Sequence, residues 1–230
     1  MNPGRHLSQD MKHFAITAFA MGACVALALS AQAPDRSVPV DNDQVKVLKV
    51  TQGPHIKTKL HEHTMNRVMI YLQPGKQTID YQGGKVAHLN WKAGEALWSP
   101  QAGMHIAEIT SANPVTIVEL ELKNAGKKVT PPAKDPLKVA PTQYKLEMEN
   151  DQVRILRSRV AGKGSIPLHE HGLNRVVVFL TDQDFKITKA DGSVDMSKHN
   201  VGDVTWSGPV THKEENLSDK PFEILIVEIK

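Results

Sequence analysis

Cysteine is almost absent. Cys24 is the only one in 230 residues, and it lies in an N-terminal apolar run. If that run is removed on export, the mature chain has no thiol and no disulfide, which excludes thiolate-nucleophile and dithiol redox chemistry. Aromatic residues are equally sparse at 5%, and basic residues are scattered apart from Lys127-Lys128. Without a basic stripe or stacking platform, nothing indicates a nucleic-acid partner. No stretch has a helical period, and after Leu29 no apolar run approaches the roughly 20 residues of a bilayer span. The mature chain is therefore expected to have no transmembrane span.

The N-terminus itself has the layout of a secretory signal peptide. Lys12 and His13 are followed by an apolar stretch from Phe14 to Leu29, then by the small residues Ser30, Ala31 and Ala33. Residues 1–33 are accordingly read as a signal peptide, and the expected destination is periplasmic or secreted. Removing them takes away Arg5, Lys12 and Asp10, so the mature charge stays close to neutral.

What the chain does have is an internal repeat. Leu60-His61-Glu62-His63 with Asn66-Arg67-Val68 returns as Leu168-His169-Glu170-His171 with Asn174-Arg175-Val176. Asp43-Gln44-Val45 returns as Asp151-Gln152-Val153, and Gly94, Trp98-Ser99 and His105 return as Gly202, Trp206-Ser207 and His212. A period this long fits two small domains descended from one. The expected division is 42–123 and 142–230, joined by a proline-rich linker at 124–141. Each half reads as a series of short strands punctuated by Gly, Pro and Asn-Asp, among them Ile56 to His63, Arg67 to Leu72 and Val115 to Leu122. The expected fold class is all-β, with two tandem jelly-roll barrels.

Histidines two apart on a strand share a face, so His61 pairs with His63 and His169 with His171. His105 and His212 each come from a later strand. Two such imidazoles plus a distant third make a tri-histidine set that leaves open positions on an ion. Glu62 and Glu170 point the other way. Histidines kept merely as surface or packing residues are the competing reading.

These residues resemble the cupin superfamily, and the duplication resembles a bicupin. The family's first motif places His-x-His after a glycine and before a glutamate and a second glycine. His61, His63 and Gly75 match it in the first half, and His169 and His171 in the second. Its second motif is matched by Gly94, Pro100 and His105, and by Gly202, His212 and Asn216. The motif glutamate is missing. Arg67 or Val68, and Arg175 or Val176, stand where it is expected.

The resemblance implies a divalent transition metal (Fe, Mn, Ni or Zn) held by three histidines. Arg67 or Arg175 would then bind a substrate carboxylate. That points to an exported metal-dependent oxygenase, or a related enzyme, for a small carboxylate-bearing substrate. The alternative is a non-catalytic small-ligand-binding or structural bicupin with a degenerate metal site. There the arginines pair with Glu62, Glu170 or another acid. Partners are a small-molecule ligand and, through pairing of barrel edges, a second copy in a homodimer.

Overall fold

The computed structural model describes Met1 and residues 35–230. Apart from Met1, the segment 1–33 expected to be a signal, with Cys24, lies outside the described residues. Residues 35–230 belong to one compact unit, and among the described residues no helix is long and apolar enough to cross a membrane.

The first half contains β1 (Asp35–Asp41), β2 (Val45–Gln52), β3 (His61–His63), β4 (Arg67–Tyr71), β5 (Gly75–Tyr81), β6 (Val86–Trp91), β7 (Glu95–Ser99), β8 (Ala102–Ile109) and β9 (Val115–Leu122). One helical turn, α1 (Pro136–Val139), interrupts the linker. The second half repeats the series as β10 (Tyr144–Glu149), β11 (Val153–Val160), β12 (Ser165–His171), β13 (Arg175–Phe179), β14 (Gln183–Lys189), β15 (Val194–His199), β16 (Val204–Ser207), β17 (Val210–Asn216) and β18 (Phe222–Ile229).

Each half is two sheets. The first half orders them β1-β2-β9-β4-β7 and β3-β8-β5-β6, and the second β10-β11-β18-β13-β16 and β12-β17-β14-β15. All ladders are antiparallel, and the two sheets of a half stay separate. This is a jelly-roll-like pair of packed sheets; the ladders do not join them into a closed barrel.

Strand parity explains the packing. In β4, Val68 and Ile70 face one way, and Arg67, Met69 and Tyr71 face the other. The first set joins Val45, Val47, Val118 and Leu120 in a core shared with Val153, Ile155, Val176, Val178, Leu225 and Val227. The two five-stranded sheets therefore stack on each other across the halves, and Trp98 and Trp206 pack at that junction. The second set faces into its own half, beneath the four-stranded sheet. Such strands are buried on both faces, which is why β13 reads Val-Val-Val-Phe without alternation.

Polar contacts at the junction are reciprocal. Asn66 Nδ2 donates to Gln152 Oε1 at 2.6 Å, and its counterpart Asn174 Nδ2 donates to Gln44 Oε1 at 2.6 Å. Lys49 Nζ donates to the Gly202 carbonyl and Arg157 Nη2 to the Gly94 carbonyl, each at 2.7 Å. Both glycines have positive φ, 73° and 83°, in the turn before a strand.

Three expectations are revised. The strand expected from Ile56 to His63 is ordered as β3 only at His61–His63, with a single bridge from Lys57 to Glu108 upstream. Lys57 and Lys59 interrupt the apolar pattern there, and His55 takes a left-handed φ of 59°. Strands β1 and β10 lie outside the expected series, and β1 precedes residue 42. The linker carries a helical turn where an extended strap is expected; Asp135 caps it by accepting from Leu137 N at 3.0 Å.

Candidate metal centre

In the first half, His61 and His63 sit on β3, an edge strand, and His105 sits opposite His61 on β8. A register irregularity falls between His61 and His63. Ring centroids are 4.4 Å apart for His61 and His105, 4.9 Å for His61 and His63, and 5.2 Å for His63 and His105. One ring nitrogen from each lies within 4.8 Å of the others. His61 Nδ1 donates to the Lys59 carbonyl at 2.8 Å, and His105 Nδ1 to the Gly103 carbonyl at 2.6 Å. Those bonds fix the tautomer and leave each Nε2 lone pair for an ion.

The second half brings His169 and His171 of β12 together with His212 of β17, again within 4.8 Å. His169 Nδ1 donates to the Pro167 carbonyl at 2.9 Å, and His171 Nδ1 to Glu228 Oε1 at 2.9 Å. Both clusters, with the glutamates beside them, are consistent with divalent transition-metal sites, since neutral imidazoles backed by carbonyl or carboxylate acceptors suit such ions.

The arginines behave differently from one another. Arg67 Nη1 donates to Glu119 Oε1 at 2.9 Å and Nη2 to Ser99 Oγ at 2.8 Å. Its acid partner is Glu119 of β9, not Glu62, which is exposed. Glu119 Oε1 also lies 3.5 Å from His63 Nδ1. Glu119 and Glu121 thus bring carboxylates near His63 from β9, whereas the family motif would bring one from β4. Arg175, 6% exposed, donates Nη1 to the Gly208 carbonyl. Neither Glu170 nor any other acid lies within ion-pair distance of it among the described residues. Burial pulls its guanidinium below the ordinary value.

The halves differ most in what lies over the histidines. In the first, a cavity of about 420 Å³ opens onto all three, walled by Met69, Ile79, Leu89 and Leu97. Arg36 of β1 lines it and has no acidic partner among the described residues. In the second, β10 puts Tyr144 at the equivalent position, with its hydroxyl 3.0 Å from His169 Nε2. Arg36 pairs with Val50 in the β1–β2 ladder, and Tyr144 pairs with Ser158 in the β10–β11 ladder, the same register in both halves.

Arg36, Glu119, Tyr144, Arg154, Asp135 and Glu228 were not legible as site residues from local spacing. The available signal was acids at alternate positions of an apolar strand: Glu119 and Glu121 in β9, and Glu228 in β18.

Burial disfavours the charged form of five of these imidazoles. Desolvation, then the Arg67 charge, brings His63 from 6.5 to about 3, and desolvation, then the neighbouring histidines, brings His212 to about 2. His105, His169 and His171 shift the same way, chiefly by burial. Burial raises Glu214 to about 7 and also raises Glu228. Below pH 6.5 the unfolded chain therefore takes up protons on these five histidines more readily than the folded protein does. Among the described residues two carboxyls, Glu214 and Glu228, take up protons preferentially in the fold. The unfolded state binds more protons, so stability falls as pH drops from 6.5 toward 4.5. The urea midpoint of chelator-treated protein is expected to be clearly lower at pH 4.5 than at pH 7.5; an unchanged or higher midpoint contradicts this.

No family model and no curated protein matches the chain. Solved structures do resemble it. AerE from Microcystis aeruginosa superposes with a TM-score of 0.61 over 86% of this chain and 98% of that one, at 13% identity. A cupin 2 conserved barrel domain protein from Leptotrichia buccalis gives 0.54 over 87% and 91%, also at 13% identity. An oxalate decarboxylase variant from Bacillus subtilis gives 0.56 over 81% and 69%, at 12% identity. At these identities the likeness is one of fold.

Proposed function

We propose that this duplicated cupin-type fold carries one open, metal-dependent enzyme site, in its first half, for a small carboxylate-bearing substrate. The carrying observation is the cavity over His61, His63 and His105, with Arg36, which has no acidic partner among the described residues, on its wall. An iron, manganese, nickel or zinc ion bound there supplies a Lewis-acidic centre with open positions, and a redox-active one places the enzyme in the oxygenase class or close to it.

The chain's own residues supply the rest. The Lys59 and Gly103 carbonyls hold His61 and His105 in the ligating tautomer. Arg36 receives the substrate carboxylate as a two-pronged donor. Arg67, tied to Glu119 and Ser99, fixes the Glu119 carboxylate beside His63 and lends positive potential to the wall. The apolar walls lower the local dielectric, which strengthens each polar contact. The N-terminal run supports export to the periplasm or beyond.

The test is metal analysis of exported protein, then a screen of small carboxylates for oxygen uptake and product. Metal and carboxylate binding without turnover would favour a non-catalytic binding module instead. Arg36→Leu is expected to weaken binding of a small dicarboxylate such as malonate by roughly tenfold or more. A charged hydrogen bond contributes about 1.5–3 kcal/mol, and each 1.4 kcal/mol is about a factor of ten. Metal content should stay unchanged. Equal malonate affinity in the two proteins, by calorimetric titration, removes Arg36 from the site.

A further inference from the structure

We propose that the second-half cluster is a closed, four-ligand metal site in which the Tyr144 phenolate completes a set with His169, His171 and His212. The Tyr144 hydroxyl oxygen stands 3.0 Å from His169 Nε2. Donors on a tetrahedral ion with bonds of about 2.0–2.1 Å are separated by roughly 3.3 Å. Tyr144 therefore stands from His169 Nε2 at close to the separation of two ligands on one ion, and a small shift of the phenol would turn the hydrogen bond into shared coordination.

Three further observations point to an ion. His212 is 4% exposed, and neither of its ring nitrogens has a hydrogen-bond partner among the described residues. A buried imidazole left wholly unsatisfied is rare; an ion at Nε2 would satisfy one nitrogen, while Nδ1 faces Glu214 Oε1 at 3.7 Å. His169 and His171 have their Nδ1 atoms anchored on Pro167 O and Glu228 Oε1, so their Nε2 atoms are the ones available. Arg175 is buried without a carboxylate partner at ion-pair distance, and an anionic phenolate in the same interior offsets its charge.

The surroundings are those of a structural centre. Tyr144, His169 and His171 are 4%, 0% and 2% exposed. The linker covers this side of the half through Asp135, which holds Arg154 and caps the single turn α1. Four protein ligands with no open position make a site that holds structure and leaves no place for a substrate. In the first half the same register position carries Arg36, which cannot ligate a cation. This register position is one of those at which the two copies differ beside the histidines. Ligation releases the Tyr144 hydroxyl proton to solvent, and neither metal nor protein changes oxidation state.

The test uses the full chain with His61→Ala and His105→Ala, which empties the first half. Refolded with Zn²⁺ and dialysed, this protein is expected to retain one ion per chain. Loaded with Cu²⁺ or Fe³⁺, it should show a phenolate-to-metal charge-transfer band with resonance-enhanced phenolate vibrations. Adding Tyr144→Phe should abolish the band and weaken zinc binding by more than the roughly 10–100-fold that loss of an outer-shell partner costs. No ion retained in the double variant, or an ion without phenolate vibrations, overturns the proposal. The vibrational measurement needs no change at Tyr144, so it stands even if the phenylalanine variant fails to fold.

Discussion

Arg154→Met is expected to destabilise the protein by about 3–5 kcal/mol, the range for stranding a buried charge partner. Arg154 donates from both terminal nitrogens to Asp135, at 2.6 and 2.8 Å, and reaches Glu228 Oε2 at 3.2 Å. The three side chains are 7%, 3% and 2% exposed. Methionine fills much of the volume but leaves two buried carboxylates facing each other without a cation between them. The damage should spread, because Asp135 also caps α1 and Glu228 orients His171. Urea unfolding at pH 7.5 measures it. Pairing the change with Asp135→Asn should restore part of the loss, since one stranded charge is then gone. A loss below about 1 kcal/mol would mean that the network is hydrated or already neutral.

His105→Ala should abolish both the first-half ion and turnover. With His105 gone, only His61 and His63 remain on the edge strand β3, and an ion held by two imidazoles exchanges readily with solvent. The expected loss exceeds the roughly 10–100-fold that follows deletion of an outer-shell partner. Metal content after dialysis against a mild chelator should fall by one ion per chain, and oxygen uptake should drop to background. The mutated side chain lines a cavity and the shared core lies on the opposite face of the five-stranded sheet, so the far-ultraviolet circular dichroism should not change. Retention of that ion with full activity would place the chemistry elsewhere.

The repeat made the fold readable, because every strand signal of one half could be checked against the other. The strands that escaped reading are the two whose composition least resembles a strand. Asp35–Asp41 holds Pro39 and is mostly exposed, as an edge strand tolerates, and Tyr144–Glu149 is half charged. The histidines were legible because their two-residue spacing is local. Glu119 and Tyr144 were not, since they reach the histidines only through strand pairing across tens of residues. Their meaning depends on a pair of ladders, β4–β9 and β10–β11, that no single segment encodes.

The back-to-back stacking of the five-stranded sheets also bears on how the two copies have drifted apart. Across the junction the residues have stayed alike: Val45 with Val153, Val47 with Ile155, Val68 with Val176, Ile70 with Val178 and Leu120 with Val227. On the inward faces of the same or neighbouring strands they have not. Glu119 stands where the other copy has Ile226, Ala107 where it has Glu214, and Gln77 where it has Phe185. A change at the junction disturbs both copies at once, whereas a change inside one copy is invisible to the other. Duplication therefore left a common foundation under strong restraint and two rooms free to be refurnished separately.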